Sequence, residues 1–199
     1  MKRRAVFLDR DGTLNEDVGY PGRYDQIRIY PYSFESVRKL NAAGLAVVVV
    51  TNQSGVGRGL FTEGALRVIH DRMLADFAAA GARIDAVYYC PHFIESSSPD
   101  YRTDCACRKP FPGMALRARE ALDLDLEGSY MVGDKVEDIR FAINAGARPV
   151  LVLTGYGEAS REALRLEGIE PDFVATDLGA AVDWILARER ERDGGAENR

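Results

Sequence analysis

The feature that most constrains the fold of this chain is the regular alternation of short apolar runs with longer stretches of helical periodicity. The apolar runs span residues 5–8, 46–50, 86–89, 130–132 and 150–153. They are nearly continuous, as strands are when helices cover both faces of a parallel sheet. Helical periodicity covers residues 34–43, 63–80, 114–122 and 137–144, and a closing helix with Trp184 as a core anchor is expected over 177–189. The pattern predicts an α/β fold with a mainly parallel sheet and helices on both faces.

The length of the chain suits one domain, because 199 residues can bury a sizeable core and are few for two domains. We expect residues 1–187 to form that domain. Residues 188–199 are charged and contain glycine, which predicts a frayed tail.

Net charge and cysteine content restrict the partners and the compartment. The formal net charge of -5 leaves no basic excess to neutralise a nucleic-acid backbone. No stretch approaches the ~20 apolar residues of a membrane span. The 3 cysteines are an odd number in one segment, which favours a metal site in a reducing compartment over a disulfide framework. We therefore expect a cytoplasmic monomer without nucleic-acid or membrane partners.

Two carboxylates follow the first predicted strand, in the run Asp-Arg-Asp-Gly at residues 9–12. Ligands in such sheets bind beyond the carboxyl ends of the strands. Because residues two apart share one side of an extended chain, Asp9 and Asp11 are expected to converge while Arg10 points away. One carboxylate can attack phosphorus and help to hold Mg²⁺, while the other handles a proton. A pair of turn aspartates that cap a loop is the alternative.

Three further segments place polar residues after predicted strands. Residues 51–54, Thr-Asn-Gln-Ser, offer a hydroxyl and backbone N–H groups to phosphoryl oxygens, or form an ordinary polar turn. Asp134 supplies a third carboxylate for a hard cation, which Asp138 can orient, or it caps the next helix. Arg108 and Lys109 offer two cations after the third strand and its loop, with a surface charge pair as the alternative.

The segment 91–112 is long, irregular and rich in Ser, Pro and Asp, so it needs a functional explanation or is disordered. All three cysteines and one of only two histidines lie in or beside it. Cys90, His92, Cys105 and Cys107 make a complete tetrahedral Zn²⁺ shell with no open position, which predicts a structural site in a loop of about residues 90–107. Free buried cysteines are the alternative.

Four signatures in this order resemble those of the haloacid-dehalogenase-like superfamily of phosphotransferases: Asp-x-Asp-Gly-Thr, Thr-Asn, Lys-Pro and Gly-Asp-x-x-x-Asp. The resemblance implies a Rossmann-like fold in which Asp9 is the nucleophile and Asp11 is the general acid and then the base. It implies that Thr51 and Lys109 steady the transferring phosphoryl group. It also implies that Mg²⁺ is held by Asp9, the backbone carbonyl of Asp11, and Asp134, with Asp138 in a second shell.

Within that superfamily, the cysteine-rich loop is similar to those of the heptose bisphosphate phosphatases and the histidinol-phosphate phosphatases, and residues 51–59 and 107–110 favour the first. The likeness implies hydrolysis of a small phosphate monoester, closest to the 7-phosphate of D-glycero-D-manno-heptose 1,7-bisphosphate. Histidinol phosphate or another sugar phosphate is the alternative substrate, and a non-catalytic zinc-stabilised binding module is the alternative class. The implied substrate site contains Asp17, Val18, Gly19, Tyr20, Thr51, Asn52, Gln53, Ser54, Arg108, Lys109 and Lys135.

Three further features bear on the site. No stretch between the signatures accommodates a large cap domain, so the zinc loop and its neighbours are expected to close the site. His70 lies in a helical pattern without a partner nearby, which predicts a surface or packed helix histidine. Residues 155–157, Gly-Tyr-Gly, form either a substrate loop or only a turn.

Overall fold

A single sheet of parallel strands organises the protein, whose computed structural model describes residues 2–196 and the side chains of residues 2–192. The strands are β1 (Arg3–Leu8), β2 (Ala46–Asn52), β3 (Ala86–Cys90), β4 (Leu124–Gly133), β5 (Arg148–Val152) and β6 (Phe173–Ala175). Their order across the sheet is β3-β2-β1-β4-β5-β6, and all neighbouring pairs are parallel. Strands β2 and β3 therefore lie on one side of β1, and strands β4, β5 and β6 lie on the other side.

Helices cover both faces of the sheet, as the continuous apolar runs predict. They are α1 (Pro31–Ala42), α2 (Glu63–Ala79), α3 (Gly113–Leu122), α4 (Val136–Ala145), α5 (Gly157–Glu167) and α6 (Leu178–Ala196), with a short 3₁₀ helix at Tyr24–Gln26. In β1, Val6 and Leu8 pack toward α1, α2 and α6. Ala5 and Phe7 pack toward α3 and α4 on the opposite face. The predicted α/β fold is confirmed.

Three elements differ from the sequence-based expectation. Helix α5 and strand β6 were not predicted, since β6 has only three residues and α5 buries few apolar side chains. Strand β4 begins at Leu124, earlier than the predicted start at residue 130. Its first part pairs with Arg3 and Arg4 before a register shift, and the charged residues Asp125 and Glu127 hide this part in the sequence.

The end of the chain also differs from the prediction of a frayed tail from residue 188. Helix α6 continues to Ala196. Glu189 is buried, accepts a hydrogen bond of 2.9 Å from the hydroxyl of Tyr130 and lies 2.8 Å from the guanidinium of Arg4. These contacts tie the charged end of the helix to the sheet. Residues 197–199 of the expected tail lie outside the described residues, and the boundary at residue 187 stays a prediction.

The connections leave the carboxyl edge of the sheet open. The connections among residues 2–196 contain no large cap domain. The segment 91–112 between β3 and α3, together with the loop after β1, borders this edge. None of the helices in the described part of the chain combines the length and the apolar character needed to cross a bilayer.

Candidate active site

A cavity of about 470 Å³ lies beyond the carboxyl ends of β1, β2 and β4, where the direction of sheet building reverses. This is where ligands bind in open α/β sheets. Of the predicted substrate-binding residues, Val18 alone does not line the cavity in the described structure, and its side chain is largely exposed. The full lining comprises Asp9, Asp11, Asp17, Gly19, Tyr20, Thr51, Asn52, Gln53, Ser54, Arg108, Lys109, Pro110, Phe111, Lys135, Glu137, Asp138 and Tyr156.

Lys109 joins the expected nucleophile to the carboxylate of α4. Its Nζ lies 2.7 Å from Asp9 Oδ1 and 2.6 Å from Asp138 Oδ1, and it donates to the carbonyl of Val50 at 2.9 Å. All three charged side chains are buried. Burial works against the ammonium charge, but the carboxylates of Asp138 and Asp9 raise the pKa of Lys109 above its ordinary value. A fixed positive charge therefore stands beside Asp9.

Asn52, the last residue of β2, sets the position of Lys109. Its Nδ2 donates to the carbonyl of Lys109 at 3.1 Å, and its Oδ1 accepts from the backbone N–H of Lys109 at 3.0 Å. The Asn52 side chain thus bonds to the backbone of Lys109 as a neighbouring strand would, and it fixes the segment that leaves the cysteine-rich loop. Asn52 lines the cavity, but its polar atoms are committed to the backbone of Lys109.

Three buried carboxylates form a cluster that fits a hard divalent cation. Oxygens of Asp9, Asp134 and Asp138 lie within 4.8 Å of one another. Asp134 Oδ1 is buried without a hydrogen-bond donor among the described residues. Burial, together with the charges of Asp9 and Asp138, raises the pKa of Asp134 to about 8. Repelling carboxylates with an unpartnered oxygen match the oxygen ligands that Mg²⁺ prefers.

The same cluster shifts the proton affinity of Asp9. Burial raises its pKa to about 6, although the ammonium of Lys109 works in the opposite direction. Asp138 differs from the other two carboxylates, because one oxygen faces Lys109 and the other accepts the backbone N–H of Lys135 at 3.0 Å. Its position is therefore consistent with the supporting role expected for it.

Asp11 lines the same cavity outside this cluster and is held by four side-chain N–H groups. Arg10 donates from Nε to Oδ1 at 3.0 Å and from Nη2 to Oδ2 at 2.7 Å. Asn15 donates to Oδ1 at 3.0 Å, and Gln53 donates to Oδ2 at 2.8 Å. Burial opposes the charge of Asp11, but Arg10, Asn15 and Gln53 lower its pKa below the ordinary value.

The expectation that Arg10 points away from Asp11 is wrong. Arg10 is completely buried and forms a two-pronged ion pair with that carboxylate. Strand β1 ends at Leu8, and the carbonyl of Arg10 accepts backbone N–H groups from Leu14 and Asn15 in a tight loop. The alternation of an extended strand therefore does not apply to residues 9–11.

His70 also has a partner that its sequence context did not reveal. It lies on the buried face of α2, and its Nε2 is 3.2 Å from Nη1 of Arg10. Its ring packs against Tyr89 with 5.5 Å between centroids. The expectation of a packed helix histidine holds, but the expectation that it lacks a partner is wrong.

The loop after β5, whose role the sequence left open, contacts the cluster. The backbone N–H of Tyr156 donates to Asp134 Oδ2 at 2.8 Å. Gly155 has a φ of +56°, and a Cβ there would lie 2.2 Å from Asp134 Oδ2. Thr154 Oγ1 donates to the carbonyl of Gly12. The rule that ligands bind at strand ends could have identified this segment, which directly follows the fifth apolar run.

The remaining predicted residues close the sides of the cavity. Thr51 Oγ1 accepts from Gln53 Nε2 at 2.9 Å, and Ser54 is buried beside them. Lys135 Nζ donates to Asp17 Oδ2 at 2.9 Å and lies 4.8 Å from the ring centroid of Tyr156. Asp17 therefore holds the loop after β1 against the start of α4.

The four predicted zinc ligands also meet in space. The sulfur of Cys107 lies 3.2 Å from that of Cys90 and 3.3 Å from that of Cys105, and it is 3.2 Å from Nδ1 of His92. A disulfide requires about 2.05 Å between sulfur atoms, and all three cysteines are free. Three thiols and one imidazole at these separations fit a tetrahedral metal shell.

Comparison with known proteins places this architecture in a family. Residues 106–181 match a HAD-hydrolase-like family model. Over 93% of this chain and 96% of the relative, the sequence is 43% identical to the D-glycero-D-manno-heptose-1,7-bisphosphate 7-phosphatase of Thermosynechococcus vestitus. Over 92% of this chain and 87% of the relative, it is 46% identical to the corresponding phosphatase of Escherichia coli K12. The chain belongs to the HAD-like phosphatases. It is therefore a phosphoric monoester hydrolase.

A solved structure supports the same placement of this HAD-like phosphatase. The crystal structure of D,D-heptose 1,7-bisphosphate phosphatase from B. bronchiseptica, complexed with magnesium and phosphate, superimposes with a TM-score of 0.80 at 38% identity. The match covers 93% of this chain and 99% of that one. The Rossmann-like fold without a large cap domain, expected from the sequence, agrees with this likeness.

Proposed function

We propose that this HAD-like phosphatase removes the 7-phosphate of D-glycero-D-manno-heptose 1,7-bisphosphate through an aspartyl-phosphate on Asp9, with Mg²⁺ as cofactor. The observation that carries the proposal is the buried pair of Asp9 Oδ1 and Lys109 Nζ, 2.7 Å apart beside the carboxylate cluster. The names of the relatives at 43% and 46% identity support the choice of substrate.

In the first half of the reaction, an oxygen of Asp9 attacks phosphorus and the bond from phosphorus to the sugar oxygen breaks. Asp11 gives a proton to the departing oxygen, so in this step it must carry a proton against the four N–H donors that lower its pKa. Lys109 and the hydroxyl of Thr51 stabilise charge on the transferring phosphoryl oxygens. The ammonium of Lys109, 2.7 Å from Asp9 Oδ1, favours the ionised carboxylate that attacks.

In the second half, a water molecule attacks phosphorus and the bond from phosphorus to Asp9 breaks. Asp11 accepts the proton of that water, which returns it to the state it had before the cycle. Asp9, the backbone carbonyl of Asp11, and Asp134 would hold Mg²⁺, with Asp138 in support. The cation supplies charge neutralisation for the phosphoryl oxygens.

The charge distribution of the cavity suits a sugar with two phosphates. Although the whole chain has a net charge of -5, Arg108, Lys109 and Lys135 all line this cavity. With Lys109 at the reacting phosphate, Arg108 and Lys135 supply positive charge for the second one, and Lys135 then exchanges its contact with Asp17 for the phosphate. The rings of Tyr20 and Tyr156 are about half exposed and offer surface to the carbon skeleton. The proposed binding site also includes the segments Asp17–Tyr20 and Thr51–Ser54.

We further propose that Cys90, His92, Cys105 and Cys107 hold a structural Zn²⁺. The supporting observation is that Lys109 lies two residues after Cys107, while Arg108 Nη1 approaches the carbonyl of His92 at 3.5 Å. A fixed loop presents both cations to the cavity. We also propose that the phosphatase acts as a monomer in the cytoplasm.

The test is a substrate panel of heptose 1,7-bisphosphate, heptose 7-phosphate, histidinol phosphate and other sugar phosphates, with and without Mg²⁺. We expect the highest kcat/KM for the heptose bisphosphate and no turnover without Mg²⁺. Asp9→Asn should abolish turnover and retain the fold, whereas Asp25→Asn, an exposed control, should not change it. Full activity in Asp9→Asn would refute the mechanism, and a preference for histidinol phosphate would refute the substrate.

A further inference from the structure

A buried chain of three polar side chains runs from the active-site cavity to helix α2. Arg10 is 0% exposed, and three of its nitrogen atoms have partners. Nε and Nη2 donate to the two oxygens of Asp11, and Nη1 lies 3.2 Å from Nε2 of His70. None of these contacts involves Asp9 or the other carboxylates of the cluster.

The chemistry of arginine fixes the direction of each hydrogen bond. A guanidinium has only donors, so Nε2 of His70 must accept, and the imidazole must be neutral with its proton on Nδ1. His70 therefore orients Arg10 without competing for Asp11. The ring of His70 is in turn packed against Tyr89, so both ends of the chain are fixed.

Packing alone does not account for a buried guanidinium at this position. Desolvating an ion pair is costly, and apolar residues of similar volume often give equal or greater stability. The guanidinium of Arg10 contacts one charged group, the carboxylate of Asp11, which transfers the proton in the proposed reaction. Rotation of that carboxylate would break its bonds to Arg10, Asn15 and Gln53 together.

We propose that Arg10, oriented by His70, is a positioning residue that fixes the direction of the Asp11 carboxylate toward the phosphorus bound by Asp9. The inference rests on the proposed function, because it assigns a direction to the proton transfers of that reaction. In the first half, the proton passes from Asp11 to the sugar oxygen as its bond to phosphorus breaks. In the second half, a proton passes from water to Asp11 as the water oxygen bonds to phosphorus.

The leaving group separates this role from a merely structural one. 2,4-Dinitrophenolate departs without protonation, so its release from 2,4-dinitrophenyl phosphate needs Asp9 but no proton from Asp11. Hydrolysis of the aspartyl-phosphate still needs Asp11 as the base. An enzyme with a misdirected Asp11 should release about one equivalent of dinitrophenolate in a burst and then turn over slowly.

Two variants at His70 carry the test without removing the buried charge. His70→Leu removes the acceptor for Arg10, whereas His70→Gln keeps one in its side-chain oxygen. Arg10→Gln removes the two-pronged contact with Asp11 altogether. Met73→Leu is the matched control, since it changes another buried side chain of α2 that is not among the hydrogen-bond partners of Arg10. Asp11→Asn provides the reference signature for loss of the proton-transferring group.

We expect His70→Leu to lower steady-state turnover about tenfold. Arg10→Gln should lower it about a hundredfold, the lower end of the about 10²- to 10⁴-fold contribution of general acid–base catalysis. Both variants should retain the burst rate, as Asp11→Asn does, and His70→Gln should recover most of the turnover. An equal fall in the burst rate and in turnover would overturn the inference. If Arg10→Gln does not fold, the two His70 variants decide the outcome by the same criterion.

Failure of the proposed function looks different in this experiment. If the proposed function is wrong, the wild-type enzyme will release dinitrophenolate no faster than Asp9→Asn. That result would overturn the proposed function and the role of Arg10 and His70 together. A wild-type enzyme that needs Asp9, combined with His70→Leu kinetics identical to those of Met73→Leu, would instead overturn only the role of Arg10 and His70.

Discussion

Substitution of Gly155 by alanine should weaken Mg²⁺ binding at the carboxylate cluster. The backbone at this position has a φ of +56°, which costs a residue with a side chain about 1–2 kcal/mol. The new methyl carbon would lie 2.2 Å from Asp134 Oδ2, where ordinary contact begins at 3.4 Å. The oxygen must therefore move by roughly 1 Å, or the loop must retreat and take the N–H of Tyr156 with it.

The size of the effect follows from the contacts that are lost. A hydrogen bond to a charged group contributes about 1.5–3 kcal/mol, and the bond from Tyr156 to Asp134 is the one at risk. Loss of a partner that orients a metal ligand typically weakens metal binding about 10- to 100-fold. We expect Gly155→Ala to fall in that range for Mg²⁺ affinity, measured by isothermal titration calorimetry in the absence of substrate.

Gly168→Ala is the matched control for this experiment. Gly168 ends helix α5 with a φ of +69°, and a Cβ there would meet nothing within 4 Å. Both variants should lose similar stability from the backbone, and the Mg²⁺ affinity of the control should remain that of the wild type. If Gly155→Ala bound Mg²⁺ as tightly as Gly168→Ala, Asp134 would not be the ligand that the loop holds, and the reasoning would fail.

Two further predictions concern the cysteine-rich loop and the buried histidine. Cys107→Ala should remove the bound zinc, detected by elemental analysis, and lower kcat/KM about 10- to 100-fold as Lys109 loses its support. The control Thr103→Ala, in the same loop, should change neither the zinc content nor kcat/KM. Loss of zinc with unchanged kinetics would show that the metal contributes to stability alone. Burial and Arg10 lower the pKa of His70 to about 3, so below pH 6.5 the unfolded chain takes up a proton that the folded protein does not. Stability should therefore fall by about 2 kcal/mol between pH 7 and pH 5, and this part of the fall should be absent in His70→Leu; identical pH dependence in urea denaturation would contradict the shift.

Much of the fold could be predicted from the sequence, because its strands are buried on both faces. Each such strand is a nearly continuous apolar run, and β2 is recognisable from its valines alone. The short edge strand β6 and the first part of β4 lack that signal, since two of the three positions of β6 and two of the first four positions of β4 are not buried. Their pairing with β5 and β1 depends on contacts between distant segments, which no local pattern contains.

The sequence by itself determined the residue types of the candidate active site and the edge of the sheet on which they lie. Asp9 and Asp134 each directly follow a strand, and parallel strands end at one edge, so their meeting required only the fold class. Lys109 lies at the end of the long loop after β3, and its position depends on the contacts of that loop with Asn52. The clustering of the cysteines and His92 in one loop likewise predicted that these side chains meet, since together they can form a tetrahedral metal shell.

Only the tertiary structure decided which way these side chains point and what holds them. Arg10 turns inward because the strand ends one residue before Asp9, and its partner His70 lies 60 residues away in the chain. Asp134 is held by a loop that follows it by about 20 residues. Hydrogen bonds of this kind depend on distances and angles set by packing of the helices on the sheet. These distances and angles cannot be read from the order of residues in the chain.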